Sequence, residues 1–182
     1  MNNLKIIKED LIAWCNWKKR KVGIFSFIFL FCHYPEYRRL LDFRLSFMPL
    51  GFIFRSLTYF STLHLNLYIS KCKNGGHVGS GLLFEHGFST IIYCRSMGDN
   101  CCVNQQVTIG SGRGGCPSIG NNVRVFAGAK IIGNVNIGDD VVVGANAVVV
   151  KDVPSHCIVA GVPARIIKVR DNEKSNWVAF ES

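Results

Sequence analysis

Aliphatic residues recur every six positions between residues 119 and 153, with polar and glycine residues between them. Each leading position is a β-branched aliphatic residue, and the position four residues later is small or β-branched. The leading residues are Ile119, Val125, Ile131, Ile137, Val143 and Val149. This period fits neither an α-helix nor a simple alternating strand. It is typical of the hexapeptide repeat and predicts a mainly β fold, a parallel β-helix with the aliphatic side chains inside.

The same repeat extends less regularly towards the N-terminus, as far as Val78. The segment from Thr90 to Ser96 has one residue more than a regular unit. About twelve units in all predict about four three-sided coils. Ile119 follows Ile109 by ten residues, so residues 111–118 contain an insertion that must leave the prism. Loops that leave a rigid scaffold often carry binding groups.

Helical spacing of apolar residues marks the start of the chain, which we divide into three parts. Residues 1–74 form a helical, aromatic-rich region, residues 75–168 the β-helix domain, and residues 169–182 a C-terminal tail. The apolar run 22–32 follows a basic cluster and is too short to span a bilayer as a helix. Two interpretations of the first part stay open: a helical domain that packs on the β-helix, or a segment that contacts a membrane surface.

The charge of +9 and the pI near 9.3 indicate anionic partners. A phosphorylated cofactor or a membrane surface fits this charge, whereas the chain has no nucleic-acid-binding motif. The eight cysteines form no CxxC pair and no metal-binding spacing with histidine. We therefore expect reduced thiols, no metal, and a cytoplasmic location that includes the inner face of the membrane under the second interpretation.

His86 is the best single candidate for catalysis. A neutral imidazole is the usual base for removing a proton from a hydroxyl group. Glu85 is its neighbour and a second catalytic candidate, although adjacent strand residues face opposite ways. A lone histidine in a strand is more often structural, so the residue type alone leaves the role of His86 open.

Several motifs together resemble the serine acetyltransferase family of hexapeptide-repeat acyltransferases. They are His86-Gly87-Phe88-Ser89, Asn104 to Gly110 (NQQVTIG), the glycine loop at 112–115, Gly128 to Asn134 (GAKIIGN) and Ala160 to Arg165 (AGVPAR). The resemblance covers about residues 75–168. It implies a left-handed β-helix, a homotrimer with acetyl-CoA in the grooves between prisms, and His86 as the catalytic base.

The insertion departs from this family. Serine acetyltransferases carry an Arg-His pair before the proline of the loop, where this chain has Gly115 and Cys116 before Pro117. We therefore predict acetyl transfer to a small or lipid-linked saccharide of the capsule, O-antigen or exopolysaccharide type. Three alternatives stay open: a serine O-acetyltransferase of cysteine biosynthesis, a catalytically inactive trimeric scaffold, and an acyltransferase that depends on an acyl carrier protein.

Binding residues follow from this interpretation. Small residues of the loop and of the prism let a pantetheine arm come close, and basic residues meet the phosphates of acetyl-CoA. The predicted donor-binding residues are Gly112, Arg113, Gly114, Ala127, Gly128, Ala145, Arg165 and Lys168. The predicted acceptor-binding residues are Cys116, Phe88 and Tyr93.

Overall fold

The computed structural model describes residues 3–48, 65–73, 75–172 and 174–180. Three helices and a long series of short strands make up these residues. The helices are α1 (Asn3–Trp17), α2 (Ile24–His33) and α3 (Pro35–Leu45). Residues 49–64 of the predicted N-terminal region lie outside the described residues.

The strands form three sheets, which are the faces of a prism. Face A contains β1 (Tyr68–Lys71), β3 (Ile91–Cys94), β6 (Thr108–Gly110), β9 (Lys130–Ile132) and β12 (Val148–Val149). Face B contains β4 (Ser96–Met97), β7 (Ser118–Ile119) and β10 (Asn136–Ile137). Face C contains β2 (Leu83–Glu85), β5 (Cys102–Asn104), β8 (Arg124–Val125), β11 (Val142–Val143), β13 (Cys157–Ala160), β14 (Arg165–Val169) and β15 (Val178–Ala179).

The predicted parallel β-helix is confirmed. Every pairing from β1 to β13 is parallel, and the chain visits the three faces in turn. All six leading aliphatic residues of the 119–153 repeat are buried in the prism. The prism has five coils instead of the predicted four, because β1 precedes the first predicted unit, and the Val153 bridge and β13 follow the last one.

The helices cover the first coil through buried polar contacts as well as packing. Arg44 of α3 forms an ion pair with Asp10 of α1 at 2.9 Å and donates to the carbonyl oxygens of Val78, at 2.6 Å, and Gly79. Asp10 in turn accepts a hydrogen bond from the backbone N–H of Gly81 at 2.7 Å. These bonds satisfy the polar backbone at the end of the solenoid, which would otherwise be buried without partners.

The chain after the last parallel strand folds back on face C. Strand β14 runs antiparallel to β13, and β15 runs antiparallel to β14. Arg170 binds Asp140 through two nitrogens, and His156 Nδ1 lies 2.9 Å from the same carboxylate. Partial burial alone would raise the pKa of Asp140, but the hydrogen bonds and charges of Arg170 and His156 lower it. The C-terminal segment is thus attached to the prism.

No described helix is both long and apolar enough to cross a bilayer. The most apolar one, α2, has 10 residues, which is about 15 Å at 1.5 Å per residue. That is half of the thickness of a hydrocarbon core.

Candidate functional site

His86 lies at the corner where the chain passes from face C to face A, which we call the C/A edge. Five residues separate Glu85 from Ile91, whereas three residues separate their partners Asn104 and Thr108 in the next coil. The His86 corner is therefore two residues longer than the corner below it. The backbone of His86 is left-handed, with φ of 56°, and its side chain is exposed. This extra length pushes the imidazole out from the prism.

The repeat does contain a unit of irregular length, as the sequence predicted, but the predicted position of the extra residue was wrong. The sequence placed one extra residue between Thr90 and Ser96, whereas strand pairing puts two extra residues at the corner between Glu85 and Ile91. The corner with the extra residues is therefore the corner that carries His86, the candidate base. A corner that departs from the repeat can hold a side chain where the regular coils cannot.

Below His86, small residues continue along the same C/A edge. Backbone hydrogen bonds link successive corners: Gln106 donates to Phe88 at 3.0 Å, Gly128 to Gln105 at 3.0 Å, and Asn146 to Ala127 at 2.9 Å. The predicted donor-binding residues Ala127, Gly128 and Ala145 are therefore stacked beneath the histidine corner. With coils about 4.8 Å apart, this edge extends for about 19 Å between the first and the fifth corner.

The basic residues at the far end of this edge differ in position. Arg165 pairs with Ala160 at the tight turn from β13 to β14, next to Gly161 at the fifth corner. Lys168 pairs with Ile158, further across face C. Both side chains are exposed. Arg165 thus lies on the C/A edge, and Lys168 lies beside it.

The predicted loop at 111–117 leaves the prism at a different corner, where face A passes to face B, which we call the A/B edge. Gly112 and Gly115 form an antiparallel bridge across the loop, with N–H to oxygen distances of 3.0 and 3.3 Å. Gly114 and Gly115 have φ of 86° and 134°, values that favour glycine. Arg113 is exposed at the loop tip.

Cys116 is joined to Cys72 by a disulfide, with a Cα–Cα distance of 6.6 Å. The prediction of reduced thiols was wrong for this pair, although the other six cysteines are free. The bond ties the loop to the segment that follows β1. Cys116 therefore offers no thiol to an acceptor while the bond is intact.

Three free thiols of the prism are poor nucleophiles. Burial raises the pKa of Cys101 to about 12 and that of Cys94 to about 11. Burial, assisted by the negative charge of Glu85, raises the pKa of Cys102 to about 11. These groups stay protonated near neutral pH, so a covalent thiol mechanism has no support from them.

Two carboxylates approach the histidine corner from different sides. Glu85 is half-buried on face C beside Cys102, and no hydrogen bond joins it to His86 among the described residues. Glu36, in the first turn of α3, packs over Gly87, where a Cβ atom would lie 3.2 Å from its Cγ. The sequence alone did not indicate Glu36, because 50 positions separate it from His86.

Arg95 is a second residue that sequence reasoning missed. It follows β3 directly, and its Nη2 donates to the side-chain oxygen of Asn134. The same nitrogen would lie 3.4 Å from a Cβ atom at Gly115. A guanidinium group therefore occupies the space over the loop position where the resembling family carries a larger residue.

One chain does not bring His86 and the loop together. Face A separates them, since His86 precedes β3 and the loop follows β6, its neighbour on that face. The four residues of β3 alone span about 10 Å. Of the predicted acceptor residues, Phe88 is exposed near His86, and Tyr93 is half-buried on face A. A site that uses both edges needs a second chain.

The comparisons with known proteins identify the type of repeat. The family model "Bacterial transferase hexapeptide (six repeats)" matches residues 116–151. Serine acetyltransferase of Synechococcus elongatus is 43% identical over 99 residues, which cover 51% of this chain and 40% of that protein. The chain thus spans less than half of this relative.

Two solved structures extend the likeness to the helices. The Neisseria gonorrhoeae serine acetyltransferase in complex with serine aligns at a TM-score of 0.62 and 25% identity, covering 90% of this chain and 68% of that one. A serine acetyltransferase in complex with CoA aligns at 0.60 and 22% identity, over 91% and 69%, which shows a common fold. The β-helix of this chain is thus similar in sequence and in fold to hexapeptide-repeat transferases named serine acetyltransferase.

The predicted transfer to a saccharide was wrong. The relatives and structural neighbours named above are serine acetyltransferases, which was the alternative interpretation. The prediction relied on Gly115 and Cys116 in place of an Arg-His pair. The structure weakens that argument, because Arg95 brings a positive charge to the same loop.

Proposed function

We propose that this chain is an acetyl-CoA-dependent O-acetyltransferase whose acceptor is serine. The observation that carries the proposal is the 43% identity with a serine acetyltransferase. The exposed His86 at the head of an edge lined by small residues supports it, because a base and an extended donor groove are what this transfer needs. The proposal keeps the predicted cytoplasmic location because of the likeness to serine acetyltransferase, although Cys72 and Cys116 are paired.

In the proposed mechanism, His86 removes the proton from the serine hydroxyl as its oxygen attacks the thioester carbonyl. The carbon–sulfur bond then breaks, and the protonated imidazole returns the proton to the CoA sulfur. Backbone N–H groups of the edge or the loop stabilise the negative charge on the carbonyl oxygen. The exposed position of His86 leaves room for both substrates.

The donor would lie along the C/A edge. Ala127, Gly128 and Ala145 present little side chain there, so the pantetheine arm can lie close to the backbone. Arg165 at the far end would contact the phosphates, assisted by Lys168. The glycine loop of a neighbouring chain would close the groove from the other side.

The serine carboxylate needs a cationic partner, which Arg95 and Arg113 at the loop can supply. Neither takes part in an ion pair among the described residues. The disulfide at Cys116 would hold the loop in place for this contact. Cys116 would then contribute by fixing the position of the loop backbone, and not through a free thiol.

A homotrimer accounts for the separation of His86 from the loop. Closed threefold symmetry would place the A/B edge of one chain against the C/A edge of the next and so form three equivalent sites. Apolar side chains are available for such contacts, since Ile91 on face A and Val150 at the A/B edge are 45% and 50% exposed. The trimer is therefore part of the proposed site.

The chain is expected to acetylate L-serine with acetyl-CoA. Release of CoA thiol, followed with a thiol reagent, measures the rate, and mass spectrometry identifies O-acetylserine. Because six cysteines are free, a control without serine is needed to subtract the signal of the protein thiols and of acetyl-CoA hydrolysis. The matched acceptors are L-threonine, D-serine and a panel of free sugars.

A higher kcat/KM for a sugar than for L-serine would contradict the serine assignment. Failure of every acceptor, with intact trimers that bind no acetyl-CoA, would support the alternative of an inactive scaffold. If the chain binds acetyl-CoA but transfers the acetyl group to no acceptor, the result would support the proposed donor site and reject the serine assignment.

Charge reversal at the far end of the edge tests the donor site. The double variant R165E/K168E is expected to raise KM for acetyl-CoA by at least tenfold, because charge-assisted phosphate contacts become repulsive. Arg165→Glu alone should account for most of the effect, since only Arg165 lies on the edge.

The control for this prediction is Lys8→Glu, which changes an exposed lysine of α1 outside the prism. It should leave KM for acetyl-CoA within about twofold of the unchanged chain. The loss should be smaller with dephospho-CoA thioester as donor. An equal loss with both donors would place the two basic residues away from the phosphates.

A further inference from the structure

Four apolar side chains at the start of α2 lie in solvent. Phe25 is 82% exposed, Ile24 66%, Val22 49% and Ile28 49%. We call this group the apolar tip. The proposed acetyl transfer uses none of these residues, and single exposed apolar residues are common, but a contiguous group on one helix end marks an interaction surface.

A basic turn adjoins the apolar tip. It consists of four consecutive cations, residues 18–21, between α1 and α2. The Lys18 ammonium lies 3.3 Å from the Trp17 ring centroid, and the Arg20 guanidinium 3.8 Å from that of Phe29. Lys19 and Lys21 are exposed. No ion pair among the described residues involves the turn, so its charge is not neutralised within the chain.

The turn is structurally fixed, so that the cations and the apolar tip point outward together. Lys19 takes a left-handed conformation with φ of 52°. The hydroxyl group of Ser26 donates to the carbonyl oxygen of Lys21 at 2.6 Å, and the N–H of Arg20 to that of Cys15 at 2.9 Å. A surface that is ordered before binding loses little conformational entropy when it binds.

We propose that the apolar tip and the basic turn dock this protein on the surface of an anionic lipid bilayer. Large apolar side chains can enter the boundary between headgroups and acyl chains, while the adjacent cations contact the headgroup phosphates. The 10 residues of α2 suit a helix end that rests at the interface. This proposal does not depend on the acceptor of the acetyl group.

Charge favours a bilayer over a second copy of the chain as the occupant. A twofold contact through the apolar tip would bring two basic turns together, and such a contact repeats the same surface on both sides. Eight cations would then face one another, because each turn carries four. Like charges at an interface are unfavourable, whereas an anionic surface complements them.

Vesicle flotation with the full chain tests the proposal. One set of vesicles contains phosphatidylcholine alone, and the other contains phosphatidylcholine with phosphatidylglycerol. The protein is expected to float with the anionic vesicles, to float at least tenfold less with the neutral ones, and to dissociate as salt concentration rises.

Two variants separate the contributions of charge and apolar area. K19A/K21A should weaken binding to anionic vesicles by about 30-fold, since each cation near the surface contributes about a fivefold gain. Phe25→Glu should abolish measurable binding, and it should fold normally because Phe25 has few contacts to lose. Matched controls are K151A/K174A and Val178→Glu, which alter exposed residues elsewhere.

Equal binding to neutral and anionic vesicles, or none to either, would overturn the proposal. So would controls that weaken binding as much as the tip variants do. If Phe25→Glu instead changes the oligomeric state measured by light scattering, the apolar tip is a contact between copies of the chain, and the lipid proposal fails.

Discussion

Replacing His86 by alanine is expected to lower kcat for acetyl transfer by roughly 10²–10⁴, the range for loss of a general base. The imidazole is exposed at the enlarged corner and has no hydrogen bond among the described residues, so its removal disturbs no packing. KM for acetyl-CoA should change little, because the donor contacts lie further along the edge. Steady-state kinetics with acetyl-CoA and L-serine measures both constants.

The matched control is His33→Ala, which removes another exposed histidine, at the end of α2 and outside the prism. It should leave kcat unchanged. Circular dichroism and light scattering should show the same fold and the same trimer for both variants. Near-normal turnover by a folded His86→Ala protein would remove His86 from the proposed mechanism.

The architecture could be predicted because the repeat has a period that only one kind of fold uses. Positions such as Ile131 and Val143 are buried, as the six-residue period requires. One side of the first coil was missed for the same reason: β1, Tyr68–Lys71, is recognisable only by its pairing with β3. Its sequence precedes the repeat, and a single short strand has no period.

The C/A edge was partly predictable, since small residues at Ala127, Gly128 and Ala145 are visible in the repeat. Their stacking beneath His86 follows from strand register, which puts one corner over the next. The position of the extra residues could not be read from unit lengths alone. It depends on which residues pair across coils, and Glu85 with Asn104 decides it.

The A/B edge was poorly predictable, because its components are distant in sequence. Cys72 and Cys116 are separated by 44 positions and have no pattern that marks them as partners. Arg95 reaches Gly115 only because β3 and the loop lie at the same corner of adjacent coils. When the sequence is compared with the family position by position, it shows only that Gly115 has no side chain. The fold brings the cation of Arg95 to the same place from another position in the chain.

Replacing Arg44 by methionine is expected to lower the free energy of unfolding by about 3–5 kcal/mol, the cost of breaking a buried ion pair by removing one partner. The side chains of Arg44 and Asp10 are 5% and 3% exposed. The variant leaves the Asp10 carboxylate buried without its cation, and the carbonyls of Val78 and Gly79 without their donor. Urea unfolding at one fixed protein concentration measures the change.

The Asp10 charge should account for most of this loss, and pH can show it. Burial raises the pKa of Asp10, although Arg44 opposes the shift, so the variant carboxyl should have a higher pKa still. A raised folded-state pKa means that stability is present at low pH and is lost as pH rises through that pKa. The cost of R44M should therefore be larger at pH 8 than at pH 5, and D10N/R44M should recover much of the lost stability.

The matched control is Lys5→Met, which removes an ion pair with Glu9 in which the lysine side chain is 67% exposed. It should cost about 0.5 kcal/mol or less. A loss of that small size for R44M, or no recovery in the double variant, would mean that packing alone holds the helices on the first coil.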